Sequence, residues 1–385
     1  MASASSTSPS NPYADAGVDT AAGDRAVDLM KAAVQRTQGP EVLGGVGGFA
    51  GMFDASALRG YARPLLATST DGVGTKVAIA QAIDKHDTVG IDLVGMVVDD
   101  IVVVGAAPLF MTDYIACGKV VPERIAQIVA GIAEGCATTG TALLGGETAE
   151  HPGLLGPHDY DIAGAATGVV EADRMLGARH VRDGDAVLAL ESSGLHSNGY
   201  SLVRHIIAQR GISYTEPAPD LGSTTWGESL LEPTRLYTVP LLRLADTLGG
   251  GLRALSHVTG GGIAANLARV LPAGAWVDVD RATWAPPVVF RVLAEAGGLS
   301  LADTEGTWNL GVGFLTVVDA AQVEQARAAL AADGIPAWQV GVVQTDSRPD
   351  GHYEQGAKGV DGGAVRLVGA FAASAPTGTS SDGGN

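Results

Sequence analysis

Basic residues are scarce in this chain. It carries 24 Lys and Arg against 42 Asp and Glu, a formal charge of −18. Nucleic-acid backbones are gripped by clustered Lys and Arg, so the balance excludes a nucleic-acid partner. Small phosphorylated ligands remain open, since backbone N–H groups and metal ions can hold those locally. Cysteine is nearly absent: Cys117 and Cys136 cannot build a disulfide framework, and they lack zinc-site spacing. Both read as small buried apolar residues. No uninterrupted apolar run reaches membrane-spanning length, and the first residues lack the pattern of a secretory signal. The expectation is a soluble cytoplasmic protein without a membrane partner.

What is present suffices for a sizeable core. Apolar residues make up 46% of 385, enough for two domains of ordinary size. Residues 1–12 and 375–385 are Ala/Ser/Pro- and Ser/Gly/Thr-rich and read as disordered tails. Between them, strands and helices alternate, an α/β (α+β) pattern. Residues 64–70 form a β-prone run ending at Asp71-Gly72. Pro122 at a helix N1 position, Glu123 in the first turn and Ile125, Ile128, Val129 and Ile132 predict an amphipathic helix over 122–139. Residues 88–105 are ambiguous, valine-rich yet long, and the spacing of Ile91, Val94, Val98 and Ile101 favours helix. Residues 141–144 and 186–190 read as strands, 197–209 and 262–271 as helices, and 320–343 as a helix–strand pair. The polar stretch 346–361 reads as a surface loop before a last strand at 364–368. Domains are expected at 13–175 and 176–344, followed by a loop, strand and tail over 345–385.

Several glycine-and-acid corners carry chemistry. In Thr70-Asp71-Gly72-Val73-Gly74-Thr75-Lys76, a strand delivers a carboxylate, and glycines then allow close backbone approach to a ligand. A hydroxyl and an ammonium follow. The set suits phosphate and a divalent cation but is not a Walker A loop. A Gly-rich turn with a solvated lysine is equally consistent with these residues. Asp99 and Asp100 interrupt an apolar segment. On a helix they point about 100° apart, so one can face solvent and the other a metal, or either can cap or pair with an arginine. Gly145-Gly146-Glu147 again places glycines before a carboxylate. His196-Ser197-Asn198 precedes a helix whose N-terminus can hold an anion, with Ser197 or Asn198 as the cap; these residues also read as ordinary turn formers. Thr259-Gly260-Gly261-Gly262 opens another helix. The loop Gly44-Gly45-Val46-Gly47-Gly48-Phe49-Ala50-Gly51 follows no convincing strand, which argues against a dinucleotide fold and for a Gly-rich loop over a ligand.

In this order the segments resemble the phosphoribosylformylglycinamidine cyclo-ligases. The resemblance also includes Tyr13-Ala14-Asp15-Ala16-Gly17-Val18-Asp19, Pro40-Glu41-Val42-Leu43, Gly90-Ile91-Asp92-Leu93-Val94 and Asn309-Leu310-Gly311-Val312-Gly313. It implies a homodimer of two-domain chains, with N-terminal strands of both subunits in a shared β-barrel and an ATP cleft near that barrel. It implies ATP and formylglycinamidine ribonucleotide as substrates, with Mg²⁺ beside the phosphates. By motif, Asp71, Asp100 and Glu147 fall to Mg²⁺ or its waters. Gly72, Gly74, Thr75, Lys76, Gly145 and Gly146 fall to ATP, with Asp71 also catalytic. His196 and Asn198 fall to substrate or proton transfer, and Lys31 to ATP or substrate. Where this family commonly has Asn-Asp, the chain has Asp99-Asp100. Among related enzymes, selenophosphate synthetase wants a reactive cysteine near its start, whereas the first cysteine here is Cys117. An ATP-binding protein without catalysis would show nucleotide-dependent stabilisation but no ADP release.

Overall fold

A computed structural model describes residues 20–44, 48–218, 221, 224–357 and 359–373. The expected tails, the 13–19 motif and Gly45-Val46-Gly47 lie outside the described residues. The helices are α1 (Thr20–Gln35), α2 (Val77–Ile83), α3 (Val89–Val102), α4 (Pro122–Thr139), α5 (Tyr200–Arg210), α6 (Trp226–Leu230), α7 (Thr238–Leu248), α8 (Gly262–Val270), α9 (Val288–Gly297) and α10 (Val323–Ala332). The first six strands are β1 (Val42–Leu43), β2 (Met52–Phe53), β3 (Pro64–Gly72), β4 (Ala107–Cys117), β5 (Ala142–Glu150) and β6 (Tyr160–Glu171). The rest are β7 (Ala186–Glu191), β8 (Leu252–His257), β9 (Trp276–Asp280), β10 (Val312–Val318), β11 (Ala337–Val342), β12 (Glu354–Ala357) and β13 (Val360–Val368).

The chain divides into two compact units. Unit 1 is Met1–Met175 with Trp226–Leu242, and unit 2 is Leu176–Thr225 with Arg243–Asn385. Residues 226–242 therefore leave their sequence neighbours and join the first unit, a crossing that the contiguous domains read from the sequence do not contain.

Unit 1 is built on a mixed sheet in the order β3-β6-β4-β5. β4 and β5 run parallel and the other pairs antiparallel. The parallel pair needs a crossover, which α4 supplies. Pro122 starts this helix and Gly140, at φ 70°, ends it, with Ile125, Ile128 and Ile132 buried. Helix α3 lies against α4 at a point where both carry glycine. A Cβ on Gly90 would strike the Ile128 and Ile132 backbone, and one on Gly131 would sit 2.5 Å from Asp87 O. The valines of α3 do not make it a strand, because burial on nearly all sides outweighs intrinsic preference.

Asp92 and Asp99 are both fully buried on α3. Seven residues apart, they share one face two turns along. The Asp92 Oδ1 accepts from Thr234 N at 2.9 Å and Thr234 Oγ1 at 2.7 Å. Asp99 accepts from Tyr237 N at 3.2 Å and Thr238 Oγ1 at 2.6 Å. These two carboxylates hold 226–242 onto unit 1. The neighbouring Asp100 is exposed.

On the sheet itself, Gly164 and Gly168 leave room for Leu93 and Ile101 of α3. Strand alternation puts Leu66 and Tyr114 on the opposite face, where they are 64% and 42% exposed. The sheet is open, with β3 and β5 at its edges. The expected barrel is therefore not closed by the described strands of a single chain.

Unit 2 holds an antiparallel sheet β11-β7-β10-β8 and a three-stranded sheet β12-β13-β9, in which β13 and β9 are parallel. β10 is buried at every residue. The stretch 346–361, expected as a loop, contains β12 and the start of β13. The Tyr353 hydroxyl donates to Asp278 at 2.9 Å, Arg366 pairs with both oxygens of Asp278, and the Arg348 and Arg366 guanidiniums lie 4.9 and 4.5 Å from the Tyr353 ring. Helix α5 begins at Tyr200 rather than Ser197. Gly199 in the left-handed region, φ 77°, holds the N-cap position in place of Ser197 or Asn198.

Candidate functional site

Unit 1 contains a cavity of about 650 Å³. One wall is the apolar side of α1, whose Gly23, Val27, Met30 and Val34 recur at helical spacing. The opposite wall is Leu144, Gly145 and Gly146 of β5 with Asp113 of β4. The loop residues Gly48, Phe49, Ala50 and Gly51 line it as well, so the Gly-rich loop and the Gly145-Gly146 corner border the same space. Lys31 is exposed on α1, one turn beyond Val27.

Asp113 belongs to none of the glycine-and-acid motifs. Its one signal is a lone acid inside an otherwise uncharged strand. The residue is half-buried, and loss of solvent pushes its carboxyl up to about 7, against the opposing pull of its own backbone N–H. A Cβ on Gly146 would fall on the Asp113 Oδ1, so the carboxyl lies directly over that glycine.

Strand register decides which acids share a face. Asp71, Gly164, Asp113 and Gly146 are cross-strand partners in one row, and Gly72, Ala163, Tyr114 and Glu147 form the next. Successive residues of a strand point to opposite faces. Asp71 and Asp113 thus share the face on which α3 packs, and Glu147 points the other way, beside Tyr114, whose hydroxyl meets His151 Nε2 at 3.0 Å. Leu93 lies at Gly164 and Ile101 at Gly168, so Asp100 belongs roughly 10 Å along α3 from the level of Asp71, at 1.5 Å per helical residue. The expected Mg²⁺ set of Asp71, Asp100 and Glu147 does not converge. Among the described residues, no group of three or more His, Cys, Asp or Glu side chains is placed to hold a metal.

Lys76 also departs from expectation. Its ammonium was expected at the phosphates, but the side chain is fully buried. It donates to Asp92 Oδ1 at 2.8 Å and to Glu232 O at 2.6 Å. Burial pushes the lysine down and Asp92 up, and their mutual attraction works against both shifts. The rest of the motif stays accessible: Asp71, Gly74 and Thr75 are exposed, Gly72 is half-buried, and the Gly72 N–H donates to Asp71 Oδ1 at 2.7 Å.

In unit 2, His196 is 1% exposed with φ 59°. Its Nε2 accepts from Ser193 N at 3.2 Å, which requires a neutral ring with the proton on Nδ1. The side chain expected at substrate or proton transfer is therefore turned into its own loop. Asn198 is half-buried, and its Oδ1 accepts from Gly260 N at 3.0 Å, joining two of the glycine corners. Asn309 completes the loop by donating to Gly194 O at 2.9 Å and accepting from Gly311 N.

The fold and these corners define a class. The chain belongs to the AIR synthase related family: the family's N-terminal domain matches residues 53–170 and its C-terminal domain residues 182–354. Among individual proteins, the chain is 49% identical to phosphoribosylformylglycinamidine cyclo-ligase of Thermosynechococcus vestitus over 331 residues, 86% of this chain and 96% of that protein. It is 47% identical to the protein of that name from Geobacillus sp., over 86% of this chain and 95% of the relative. Solved structures share the fold at lower identity. Thiamine-monophosphate kinase from Stenotrophomonas maltophilia has 17% identity and a TM-score of 0.60, covering 90% of this chain and 97% of that one. Hydrogenase maturation protein HypE in complex with ATP has 19% identity and a TM-score of 0.60, covering 92% and 93%.

Proposed function

We propose that the chain closes an imidazole ring, converting ATP and formylglycinamidine ribonucleotide to 5-aminoimidazole ribonucleotide, ADP and phosphate in purine biosynthesis. The observation that carries this reading is near full-length identity of almost one residue in two to cyclo-ligases. The intact glycine-and-acid corners on both units support it.

A formamide carbon is a poor electrophile, and its oxygen a poor leaving group. Transfer of the terminal phosphoryl group of ATP to that oxygen gives an imidate-like phosphate and ADP. The ribose-bearing amidine nitrogen then attacks the carbon, the C–O bond breaks, phosphate leaves and the nitrogen loses a proton. The protein's task is mainly to position two reactants and neutralise phosphoryl charge. Gly72, Gly74 and Thr75 are accessible for phosphate contacts, and Lys31, exposed on α1, is left for ATP or substrate. Lys76 serves by fixing the end of the Asp71–Thr75 turn. Asn198 is left for the substrate, and His196 shapes its loop. Mg²⁺ would neutralise phosphate charge; since the three acids do not converge, no step is assigned to it, and Asp71 keeps its role as the acid nearest that turn. The open face of the unit 1 sheet, with Leu66 and Tyr114 uncovered, supports a homodimer in which strands of two chains form a barrel.

A coupled assay tests the reading. ADP should appear only when formylglycinamidine ribonucleotide is added, and Asp71→Asn should nearly abolish it. Turnover by that variant at the parent rate would remove Asp71 from the mechanism, and ADP release indifferent to the ribonucleotide would remove the reaction itself.

A further inference from the structure

After β13 the chain continues through 369–373, beyond the residues 182–354 that the family's C-terminal domain matches. This segment is neither helix nor strand, yet contacts with two residues tie it down. The Phe371 ring meets Trp284 edge-on, with centroids 5.2 Å apart at 77°, and Ala372 N donates to Trp284 O at 3.1 Å. Arg281 donates to Gly369 O at 3.1 Å, and its guanidinium lies 5.8 Å from the centre of the Phe371 ring. Both residues lead onward to the glycine corners of unit 2. The Trp284 indole N–H donates to Leu310 O at 3.0 Å, and Pro287 fills the space that a Cβ on Gly311 would take. In the same turn Asn309 donates to Gly194 O, and Gly311 O accepts from Ser192 N at 2.9 Å. Arg281 pairs with both oxygens of Glu305 at 2.6 and 2.7 Å, and the Glu305 carbonyl oxygen would lie 1.7 Å from a Cβ on Gly262. These turns need an external hold. Among the described residues three non-glycine residues have positive φ, and two of them, His196 at 59° and Leu310 at 49°, sit on the joined 192–198 and 309–311 turns. A leucine in the left-handed region is costly and persists only where its surroundings over-determine it. The indole N–H on Leu310 O supplies that hold, and Phe371 and Ala372 fix the indole.

We infer that 369–373 is a positioning strap, which through Trp284 and Arg281 holds the 192–198 and 259–262 corners in the geometry that binds the ribonucleotide substrate. Phe371 and Arg281 are positioning residues and touch no reacting atom. The inference rests on the cyclo-ligase reading for the identity of that substrate and adds the segment that shapes its site. The route from the strap is short. One ring contact and one hydrogen bond separate Phe371 from Leu310, and one ion pair separates Arg281 from Glu305. The two corners also move together, because Asn198 Oδ1 accepts from Gly260 N. All of these contacts lie within unit 2, whereas the Gly72–Thr75 turn belongs to unit 1. Loss of the strap therefore loosens the substrate corners and leaves the phosphate turn as it is.

The test compares the two Michaelis constants of the full chain in a coupled ADP assay. Phe371→Ala should raise KM for formylglycinamidine ribonucleotide about tenfold, a modest share of what misplacing a contacting group can cost. KM for ATP and kcat should stay within about twofold of the parent, the pattern of lost ground-state binding of one substrate. Phe371→Tyr keeps the ring on Trp284 and should retain the parent constants. Amide exchange of the unliganded protein reads the hold without any substrate: Gly311 and Ser192 should exchange faster in Phe371→Ala, while exchange within β10 stays slow. A parent KM for the ribonucleotide in folded Phe371→Ala would overturn the inference, as would equal rises in both KM values. Should Phe371→Ala not fold, Arg281→Met, which leaves Phe371 and Trp284 in place, decides by the same comparison. Faster exchange at Gly311 and Ser192 in a variant whose parent releases no ADP with formylglycinamidine ribonucleotide would uphold the strap and overturn the cyclo-ligase reading.

Discussion

Lys76→Met should destabilise unit 1 far more than an ordinary lysine substitution. Lysine at the surface is worth little, but this ammonium is fully buried and has Asp92 Oδ1 at 2.8 Å and Glu232 O at 2.6 Å. Removing one member of a buried ion pair costs about 3–5 kcal/mol, because the other charge stays uncompensated. Here the lower end applies to the pair, since Asp92 keeps the N–H and hydroxyl of Thr234, although its Oδ2 is buried without a partner. The Glu232 carbonyl also loses a donor, at about 1 kcal/mol. The expected loss is about 4 kcal/mol. Adding Asp92→Asn to Lys76→Met should recover at least about 2 kcal/mol relative to the sum of the single changes, since contacting residues do not add. An asparagine still accepts from Thr234 but carries no charge. Urea unfolding by circular dichroism gives the totals, and amide exchange at Thr234 assigns the loss to this clamp. A Lys76→Met protein within 1 kcal/mol of the parent, or strictly additive single changes, would refute the reasoning.

Two further outcomes follow from the same structure. Asp99→Ala should cost about 2–3 kcal/mol, since one buried carboxyl accepts from both Tyr237 N and Thr238 Oγ1 and both donors would lose it, and amide exchange at Tyr237 should accelerate before that in α4. His86 is buried between Tyr160 OH and Asp84, each at 2.9 Å, and burial, with Arg124 as a lesser cause, holds its ring below the ordinary histidine value of 6.5 despite the opposing pull of Asp84. The unfolded chain therefore takes up a proton first as pH falls below about 6.5, so stability is full above that value and declines beneath it. Melting temperature against pH should show this slope, and His86→Gln should flatten it. A parent slope retained by the variant would assign the effect to other groups.

Much of the fold was legible because local chemistry and burial agree. Helix α4 occupies 122–139 as read, with Pro122 and Gly140 marking its ends, and β7 and α8 lie within a residue of their expected bounds. The glycine corners were legible too, since glycine before a carboxylate leaves a trace in any chain. The start of α5 differs from the expected Ser197 because Gly199 in the left-handed region turns the chain two residues further on. The 346–361 stretch reads as a polar surface loop because its order depends on Asp278, which is distant in sequence and meets Tyr353 and Arg366 only in the fold. Asp113 is a single acid with no motif around it, so residue type and spacing alone do not mark it.

The amino-acid sequence by itself determined the family, the alternation of elements and the existence of several acid-and-glycine corners. Those depend on residue type and spacing along the chain. Tertiary structure alone decided that Asp99 faces inward and Asp100 outward, that Lys76 is sealed against Asp92, and that Asp71 and Glu147 lie on opposite faces of one sheet. The physical reason is that face and burial are properties of pairing between distant segments. A shift of one residue in strand register exchanges the two faces, and a charged side chain becomes structural only when a remote segment, here 226–242, closes over it.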